Sequence, residues 1–251
     1  MKIVVIGGTG LIGSKLVSRL REQGHQAVSA APDTGVSTLT GEGLASVLGG
    51  AAVVVDVANS PSFEDAAVLE FFETSTRNVL AVAAAAQVGH YVALSVVGTE
   101  RLQQSGYFRA KAAQEQLIEK SAIAFSILHA TQFFEFARGM TDAAAEGRTV
   151  RFAPVLFQPI AGDDVARALT GIALGSPLNR MTEVAGPEQF RMDEFFREVL
   201  VTRHDPRTVV TDPGARYFGA ELGERTLLPG AGAAIGETLY SNWPGRAESG
   251  K

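Results

Sequence analysis

Cysteine is absent from this 251-residue sequence, so thiol catalysis, thiolate metal sites and disulfide bonds are all excluded. Basic residues are in the minority, with 22 Lys and Arg against 27 Asp and Glu and a net charge of -5. Nucleic acids bind proteins largely through basic side chains that neutralise phosphates. The charge balance therefore predicts no nucleic-acid partner.

Long apolar runs are also missing. The apolar run at residues 3–6 is too short for the core of a signal peptide, and the run at 79–86 is too short to span a bilayer. We therefore expect a cytoplasmic protein with no membrane partner. The four histidines are scattered and lack metal-ligand spacing, which predicts no metal site.

The sequence does contain enough apolar material for a large core, because 46% of its residues are hydrophobic. This content excludes a disordered or fibrous protein. The length is compatible with one extended α/β domain or with a large domain and a small lobe.

The first motif is a glycine-rich turn. The apolar run Val4-Val5-Ile6 leads into Gly7-Gly8-Thr9-Gly10-Leu11-Ile12-Gly13, after which apolar residues recur at helical spacing. This pattern predicts a strand, a tight turn and a helix. The glycines at 8, 10 and 13 satisfy G-x-G-x-x-G, in which glycine lets a ligand approach the backbone and lets the helix pack closely on the strand.

Such a turn is suited to a dinucleotide. The first N–H groups of a helix have no partner within the helix and carry a partial positive charge, so they bind a pyrophosphate well. The glycine pattern by itself is also compatible with a plain turn. Its position directly after the first strand favours dinucleotide binding.

Asp33 bears on the choice of dinucleotide. In this kind of fold the residue after the second strand meets the adenosine ribose, where an acid favours NAD and an arginine favours NADP. Asp33 follows the predicted second strand at 26–31, twenty residues beyond Gly13, and no arginine is near it. The segment 32–35 is also typical of an ordinary turn, so NAD and NADP both stay open.

Strand and helix patterns then alternate. Residues 52–57 and 91–98 are apolar enough for parallel strands covered on both faces, and an alanine-rich helix is predicted over 66–87. The alternation predicts a doubly wound, mostly parallel sheet with right-handed crossovers. Ala58 and Asn59 follow a strand at the carboxyl edge, where they either leave room for a nucleotide or form a simple exit.

Ser95, Tyr107 and Lys111 form the second chemical pattern. Tyr107 and Lys111 are four residues apart in a helix predicted to start at 106, so they share one face, and Ser95 lies near the end of the preceding strand. A nearby ammonium group is expected to lower the pKa of the tyrosine, which favours proton exchange with a carbonyl or alcohol. The alternatives are structural: aromatic packing, an ion pair between Lys111 and Glu115, and a hydroxyl that satisfies a strand carbonyl.

Together these motifs resemble a known family. The turn at 7–13, Ser95 with Tyr107-x-x-x-Lys111, and Gly186-Pro187-Glu188 look like the atypical short-chain dehydrogenase/reductases. Leu94 to Gly98 and Tyr107 to Lys111 resemble the NmrA-like branch of NAD(P)-binding proteins. The resemblance covers residues 1 to 200 in round numbers.

The resemblance implies an α/β Rossmann sheet with bound NADP or NAD and a small C-terminal α/β lobe over a small-molecule substrate. It implies that Tyr107 is the acid/base with Ser95 beside it, and that Lys111 holds the nicotinamide ribose. The basic residue common after the second strand of NADP-binding members is absent. The candidate cofactor-binding residues are Gly7, Thr9, Gly10, Leu11, Ile12, Gly13, Asp33, Ala58, Asn59 and Lys111.

We expect residues 1–150 to form the NAD(P)-binding domain and residues 151–251 to form the substrate lobe, interleaved with the Rossmann core. Residues 151–160 are strand-like, and helices are predicted over 162–174 and from 192 to 200. Further along, the sequence is irregular. The oligomeric state expected is a monomer or a homodimer.

Two later segments have an undecided role. His129, after the strand that starts at Phe125, is a candidate general base, although a lone histidine there is more often structural. The stretch Arg216-Tyr217-Phe218 either lines the substrate pocket or anchors the tail.

Two functional hypotheses follow. In the first, the protein is an NAD(P)-dependent oxidoreductase that moves a hydride between the nicotinamide and a small carbonyl or quinone-type substrate, with Tyr107 exchanging the proton. In the second, it is a weakly active or inactive NAD(P)-binding redox sensor or regulatory protein. The serine, tyrosine and lysine positions favour the enzyme.

Overall fold

The structure is a computed structural model that describes residues 1–247. The last four residues of the predicted substrate lobe, 248–251, lie outside the described residues. The strands are β1 (Lys2–Ile6), β2 (Gln26–Ala30), β3 (Val53–Asp56), β4 (His90–Val96), β5 (Phe125–Ala130), β6 (Ala145–Glu146), β7 (Thr149–Phe152), β8 (Leu156–Phe157), β9 (Met181–Ala185), β10 (Phe190–Arg191), β11 (Thr208–Thr211) and β12 (Ala234–Ile235).

The helices connect these strands and cover the sheets. The α-helices are α1 (Leu11–Glu22), α2 (Leu44–Leu48), α3 (Asp65–Ala85), α4 (Gly106–Glu119), α5 (Ala137–Ala143), α6 (Gly162–Leu174) and α7 (Met192–Thr202). Short 3-10 helices occur at Pro32–Thr34, Phe134–Phe136, Tyr240–Asn242 and Pro244–Ala247.

The central sheet has seven strands in the order β12-β9-β5-β4-β3-β1-β2, and all of its pairs are parallel. One face is covered by α1 and α6, and the other face is covered by α2, α3 and α4. Both faces are therefore buried, as the apolar character of β1, β3 and β4 predicts. This arrangement confirms the predicted Rossmann-type α/β fold, and it brings the carboxyl ends of β1, β3, β4 and β5 to one edge.

A second core lies beside the sheet. It is formed mainly by α7, the smaller strands and several aromatic residues, including Phe152 and Phe196, whose rings stack 3.8 Å apart. The helix α6 belongs to the central sheet rather than to this core, because Val165 and Leu169 pack with α1. The chain therefore passes back into the Rossmann unit after it has started the second core.

Three elements of the second half differ from the sequence expectation. The strand-like stretch 151–160 is split into β7 and β8, which lie in different sheets, because Pro154 between them cannot donate to a strand ladder. The strand β9 was not predicted, since its sequence Met-Thr-Glu-Val-Ala carries a weak strand signal. The region after His204, expected to be irregular, contributes β11 and β12.

Candidate cofactor and catalytic site

The glycine turn joins β1 to α1 with very close backbone contacts. Gly7 has a left-handed φ of 75°, and its N–H donates to the carbonyl oxygen of Ala30 at 2.9 Å. A Cβ atom at Gly13 would lie 2.1 Å from the carbonyl oxygen of Gly7. Only glycine fits at position 13, because the helix starts against the turn.

The first turn of α1 is open to an anion. Its N-cap residue, Gly10, provides no side-chain cap, and the first turn contains no acidic residue. The backbone N–H groups and the positive end of the helix dipole are therefore available to a ligand. Thr9 and Leu11 are exposed beside them, whereas the Ile12 side chain is buried in the core, so only the backbone of Ile12 can face a ligand. These features fit a pyrophosphate.

Asp33 reaches the same turn from the end of β2. It lies in the 3-10 helix Pro32–Thr34, and its Oδ1 accepts a hydrogen bond from the Thr9 hydroxyl at 3.0 Å. The carboxylate is thereby held next to the glycine turn, on the side of the second strand. Its position is suitable for a contact with the adenosine ribose.

Ala58 and Asn59 connect the glycine turn to Tyr107. A Cβ atom at Gly7 would lie 2.9 Å from both the Cα and the N atom of Ala58, so the backbone after β3 lies directly on the turn. The next residue, Asn59, accepts a hydrogen bond at Oδ1 from the Tyr107 hydroxyl at 3.3 Å. Four of the predicted site residues are therefore in one continuous chain of contacts.

Tyr107 is surrounded by aromatic rings. Its ring stacks on Phe218 at 5.7 Å, and Phe63, Phe108 and Phe72 lie 5.6, 5.7 and 6.1 Å away. Burial raises the pKa of Tyr107 to about 12, which is opposite to the lowering that sequence reasoning expects. At neutral pH Tyr107 therefore keeps its proton, and its hydroxyl can act as a hydrogen-bond donor.

Lys111 lies one turn further along α4 and points into the protein. Its Nζ donates to the carbonyl oxygen of Leu94 at 2.9 Å and to the side chain of Gln114, and it lies 4.5 Å from the ring centre of Phe72. Phe72 also contacts Tyr107, so the tyrosine and lysine do share a face. Burial lowers the pKa of Lys111 to about 8, although the charges of Asp56 and Glu115 oppose this shift.

Asp56 is a buried carboxylate that the sequence analysis missed. It ends β3, accepts from the Ala58 N–H at 3.0 Å and the Tyr91 hydroxyl at 2.8 Å, and is 3.3 Å from Gln114 Nε2. Burial raises the pKa of Asp56, while these hydrogen bonds and Lys111 act in the opposite direction. The sequence feature that could have identified Asp56 is its position as an acidic residue at the end of an otherwise apolar strand.

Ser95 forms a separate buried cluster. Its hydroxyl donates to Glu115 Oε1, and the Nε2 atom of His129 lies 2.9 Å from the same oxygen. Burial raises the pKa of Glu115, but the hydrogen bonds from His129 and Ser95 and the charge of Lys111 outweigh this and lower it overall. Ser95 is thus hydrogen-bonded to α4 rather than to Tyr107, and His129 is a buried partner of Glu115.

Metal and membrane-spanning features were the other possibilities for this fold. Within residues 1–247 no group of three or more His, Asp or Glu side chains is placed to hold a metal ion. In the same part of the chain, no helix combines the length and apolar character needed to cross a bilayer.

Comparison with known families places these residues in a wider context. The family model described as NAD(P)H-binding matches residues 7–174, which include the glycine turn, Asp33, Asn59, Tyr107 and Lys111. Among curated proteins, the photosystem II assembly factor Ycf39 of Cyanophora paradoxa is 24% identical over 149 residues, covering 54% of this chain and 46% of that protein. The chain therefore aligns with about half the length of the curated relative it matches.

Solved structures share the fold over nearly the whole chain. MoeE5 in complex with UDP-glucuronic acid and NAD has a TM-score of 0.71 at 18% identity and covers 96% of each chain. A short-chain dehydrogenase/reductase superfamily protein from Agrobacterium tumefaciens with bound NAD has a TM-score of 0.70 at 17% identity, covering 96% of this chain and 94% of that one. UDP-glucose 4-epimerase of Thermus thermophilus with NAD also reaches 0.70 at 17% identity, covering 91% and 92%. At these identities the likeness shows the fold.

Proposed function

This chain belongs to the NAD(P)H-binding family, and we propose that it is an oxidoreductase that reduces a small carbonyl or quinone-type compound with Tyr107 as the proton donor. The observation that carries the proposal is the hydrogen bond between Tyr107 and Asn59. The neighbouring Ala58 lies on the glycine turn, so this bond supports a position of the tyrosine hydroxyl near the path of a dinucleotide held by the turn.

The cofactor role rests on the turn and the first helix. Gly7, Gly10 and Gly13 leave the backbone open, and the uncapped N-terminus of α1 would bind the pyrophosphate. When bound, the reduced nicotinamide supplies the hydride. Thr9 and Asp33 would hold the adenosine end.

The protonated state of Tyr107 is the one that a proton donor needs. A phenol whose pKa is raised to about 12 stays protonated at neutral pH, and it can donate that proton to a carbonyl oxygen as negative charge develops there. Asn59 Oδ1 accepts from this hydroxyl and thereby orients it in the absence of substrate.

Ser95 and Lys111 act as positioning residues in this account. Lys111 binds the Leu94 carbonyl and contacts Phe72, which also packs against Tyr107. Ser95 attaches the end of β4 to α4 through Glu115. Both therefore fix the helix that carries Tyr107. Contact of Lys111 with the nicotinamide ribose would require its Nζ to leave the Leu94 carbonyl.

Asp33 supports a preference for NAD. Its carboxylate is held at the glycine turn by Thr9, where it can accept from a ribose 2′-hydroxyl and would repel a 2′-phosphate. The segment 29–35 contains no lysine or arginine that could compensate the charge of such a phosphate. We therefore propose NADH as the better ligand.

A second candidate is a cofactor-binding assembly or regulatory protein without turnover. It is favoured by the similarity to a protein named as an assembly factor, and by the engagement of Ser95 and Lys111 away from the Tyr107 hydroxyl. This candidate predicts tight NADH binding with no oxidation of NADH by any small carbonyl compound.

Replacing Tyr107 by phenylalanine tests the proposed enzyme. The exchange removes the acid and keeps the aromatic packing, so turnover should fall by about 100-fold or more while the Kd for NADH changes by less than about threefold. The matched control is Tyr240→Phe, because the Tyr240 hydroxyl is buried without a hydrogen-bond partner in the second core. Full turnover in Tyr107→Phe would contradict the role of the tyrosine.

A further inference from the structure

A tight hairpin of the C-terminal region ends beside Tyr107. Tyr217 and Ala220 exchange two backbone hydrogen bonds of 2.9 and 3.0 Å, and the residues between them, Phe218 and Gly219, have left-handed φ values of 47° and 81°. This is the backbone of a two-residue hairpin, in which glycine or asparagine is usual at both central positions. A phenylalanine there is strained, so its side chain needs a compensating role.

The hairpin is fixed in place on both sides. Arg216 donates to the Gly219 carbonyl at 3.0 Å and pairs with Glu221 at 2.7 Å, and the Glu221 N–H donates to Gln104 just before α4. The Phe218 ring therefore meets Tyr107 at 5.7 Å and Phe63 at 5.5 Å. The strained residue serves to cover the candidate proton donor.

Tyr217 brings a second phenol to the same place. Its ring packs 4.8 Å from Phe218 and 6.2 Å from Phe108. Burial raises the pKa of Tyr217, its neighbour Tyr107 raises it further, and a hydrogen bond with the Gln132 side chain acts in the opposite direction. Tyr217 and Tyr107 pack on the same two rings, Phe108 and Phe218, so the two phenol side chains belong to one cluster.

Gln132 has an unused hydrogen-bonding capacity. The residue is 5% exposed, and beyond the Tyr217 hydroxyl its Nε2 and Oε1 atoms have no hydrogen-bond partner. It follows β5 by two residues, so it lies at the carboxyl edge of the sheet, where Asn59 and Tyr107 also meet. A buried amide with so few partners is unfavourable, and this one is explained if a ligand supplies the missing hydrogen bonds.

The walls around these polar groups are apolar and flat. Phe63 and Phe218 are 53% and 43% exposed, although large aromatic side chains are usually covered. Both rings pack against Tyr107 and are still partly exposed, so a flat ring placed beside them could bury more of their surface.

We propose that Tyr217 and the Gln132 amide form a second polar binding point, so that the site takes a flat aromatic carbonyl compound with its carbonyl group at Tyr107 and a polar substituent at Tyr217. The proposal rests on the function proposed above, and it adds a substrate class and two substrate-binding residues. Tyr217 and Gln132 bind the polar substituent of the substrate, whereas Tyr107 exchanges the proton.

Binding of two probe aldehydes tests the proposal without requiring turnover. We would measure the Kd values of 4-hydroxybenzaldehyde and benzaldehyde for the full chain, loaded with NAD⁺, by saturation-transfer NMR. The wild type should bind the hydroxylated probe about tenfold more tightly, as expected for one or two hydrogen bonds. Tyr217→Phe should lose this advantage, and Tyr240→Phe, which removes a hydroxyl from the second core, should keep it.

Gln132→Met provides an independent variant of similar shape, and it should also remove the preference for the hydroxylated probe. Equal binding of both probes by the wild type, or an undiminished preference in Tyr217→Phe or in Gln132→Met, would overturn the proposal. A preference that depends on Tyr217, without oxidation of NADH by the bound probe, would support the binding point and contradict the proposed enzyme. The failure of the proposed binding point and the failure of the proposed enzyme are therefore distinguishable.

In an active enzyme, Tyr217→Phe should raise KM for the hydroxylated probe and leave kcat within about threefold.

Discussion

The glycine turn and the surroundings of Tyr107 are built in opposite ways. The turn is made of backbone atoms from neighbouring residues, and its closest approach, at Gly13, tolerates no side chain at all. The Tyr107 surroundings are made of side chains, and Phe63 and Phe218 come from distant parts of the sequence. The cofactor end is thus specified by local chain geometry, whereas the substrate end depends on the assembly of the whole chain.

The largest effect is expected at the turn. A Cβ atom at Gly13 would lie 2.1 Å from the Gly7 carbonyl oxygen and 2.7 Å from the Gly8 Cα, so Gly13→Ala must displace α1 from the strand. We expect it to destabilise the fold by about 3 kcal/mol and to abolish NADH binding. Urea unfolding and NADH titration measure both effects.

The control for this substitution is Gly171→Ala, because a Cβ atom at Gly171 meets nothing within 4 Å. It lies within α6 and should change stability by about 1 kcal/mol or less, in the stabilising direction. If Gly13→Ala were as stable as the wild type and bound NADH equally well, the close approach would not be the basis of the site.

The pH dependence of stability tests the burial of Lys111, which lies one helical turn from Tyr107. Its pKa is about 8 in the folded protein against an ordinary 10.5, so between these values the unfolded chain binds more protons. Stability should therefore rise with pH across this window, by up to about 3 kcal/mol from this group. In Lys111→Gln the free energy of unfolding should rise by about this much less between pH 8 and pH 10.5, as measured by urea unfolding.

The exposed Lys120→Gln variant is the matched control, since it should change the pH dependence little. If the free energy of unfolding rose equally with pH in the wild type and in Lys111→Gln, the pKa of Lys111 would not be lowered by burial. The contrast between the glycine turn and the buried side chains around Tyr107 would then not extend to Lys111.

Substitution of Asp33 tests whether the residues at the adenosine end of the site determine the preference for NADH over NADPH. Asp33→Asn removes the charge that would repel a 2′-phosphate, so the ratio of the Kd values for NADPH and NADH should fall by about tenfold. Thr9→Val removes the hydrogen bond to Asp33 and keeps the carboxylate, and it should leave that ratio within about threefold. A ratio unchanged in Asp33→Asn would remove the basis for an NAD preference.

The smallest effect concerns Ser95. Because its hydroxyl binds Glu115 rather than Tyr107, Ser95→Ala should cost about 1 kcal/mol of stability and lower turnover by less than about tenfold. Ser18→Ala, which breaks an exposed serine–glutamate hydrogen bond to Glu22, should cost less than about 0.5 kcal/mol. Loss of turnover at unchanged stability would instead indicate a direct catalytic role for Ser95.

The sequence predicted the parts of the molecule that depend on local signals. The strand, glycine turn and helix from β1 to α1, the parallel Rossmann-type sheet and the NAD(P)-binding family are confirmed. The roles of Ser95, Tyr107 and Lys111 stay predictions. The spacing of Tyr107 and Lys111 does place them on one face, but spacing alone does not tell which polar groups they meet.

The remaining features depend on tertiary contacts. The burial of Lys111 requires the packing of α4 on α3 and β4, and the raised pKa of Tyr107 results from rings that include Phe63 and Phe218. A weak strand such as β9 forms because the open edge of β5 is available to it. These features depend on residues that are distant in the sequence, so local sequence patterns do not predict them.

The most direct test of the central claim follows the hydride itself. NADH deuterated at C4 of the nicotinamide would be incubated with the protein and a panel of small aldehydes and ketones, and deuterium on the product carbon would be measured by NMR. We predict labelled alcohol with the wild type, and at least about 100-fold less with Tyr107→Phe although NADH still binds. Bound NADH without labelled product in the wild type, or equal labelling by Tyr107→Phe, would contradict the account.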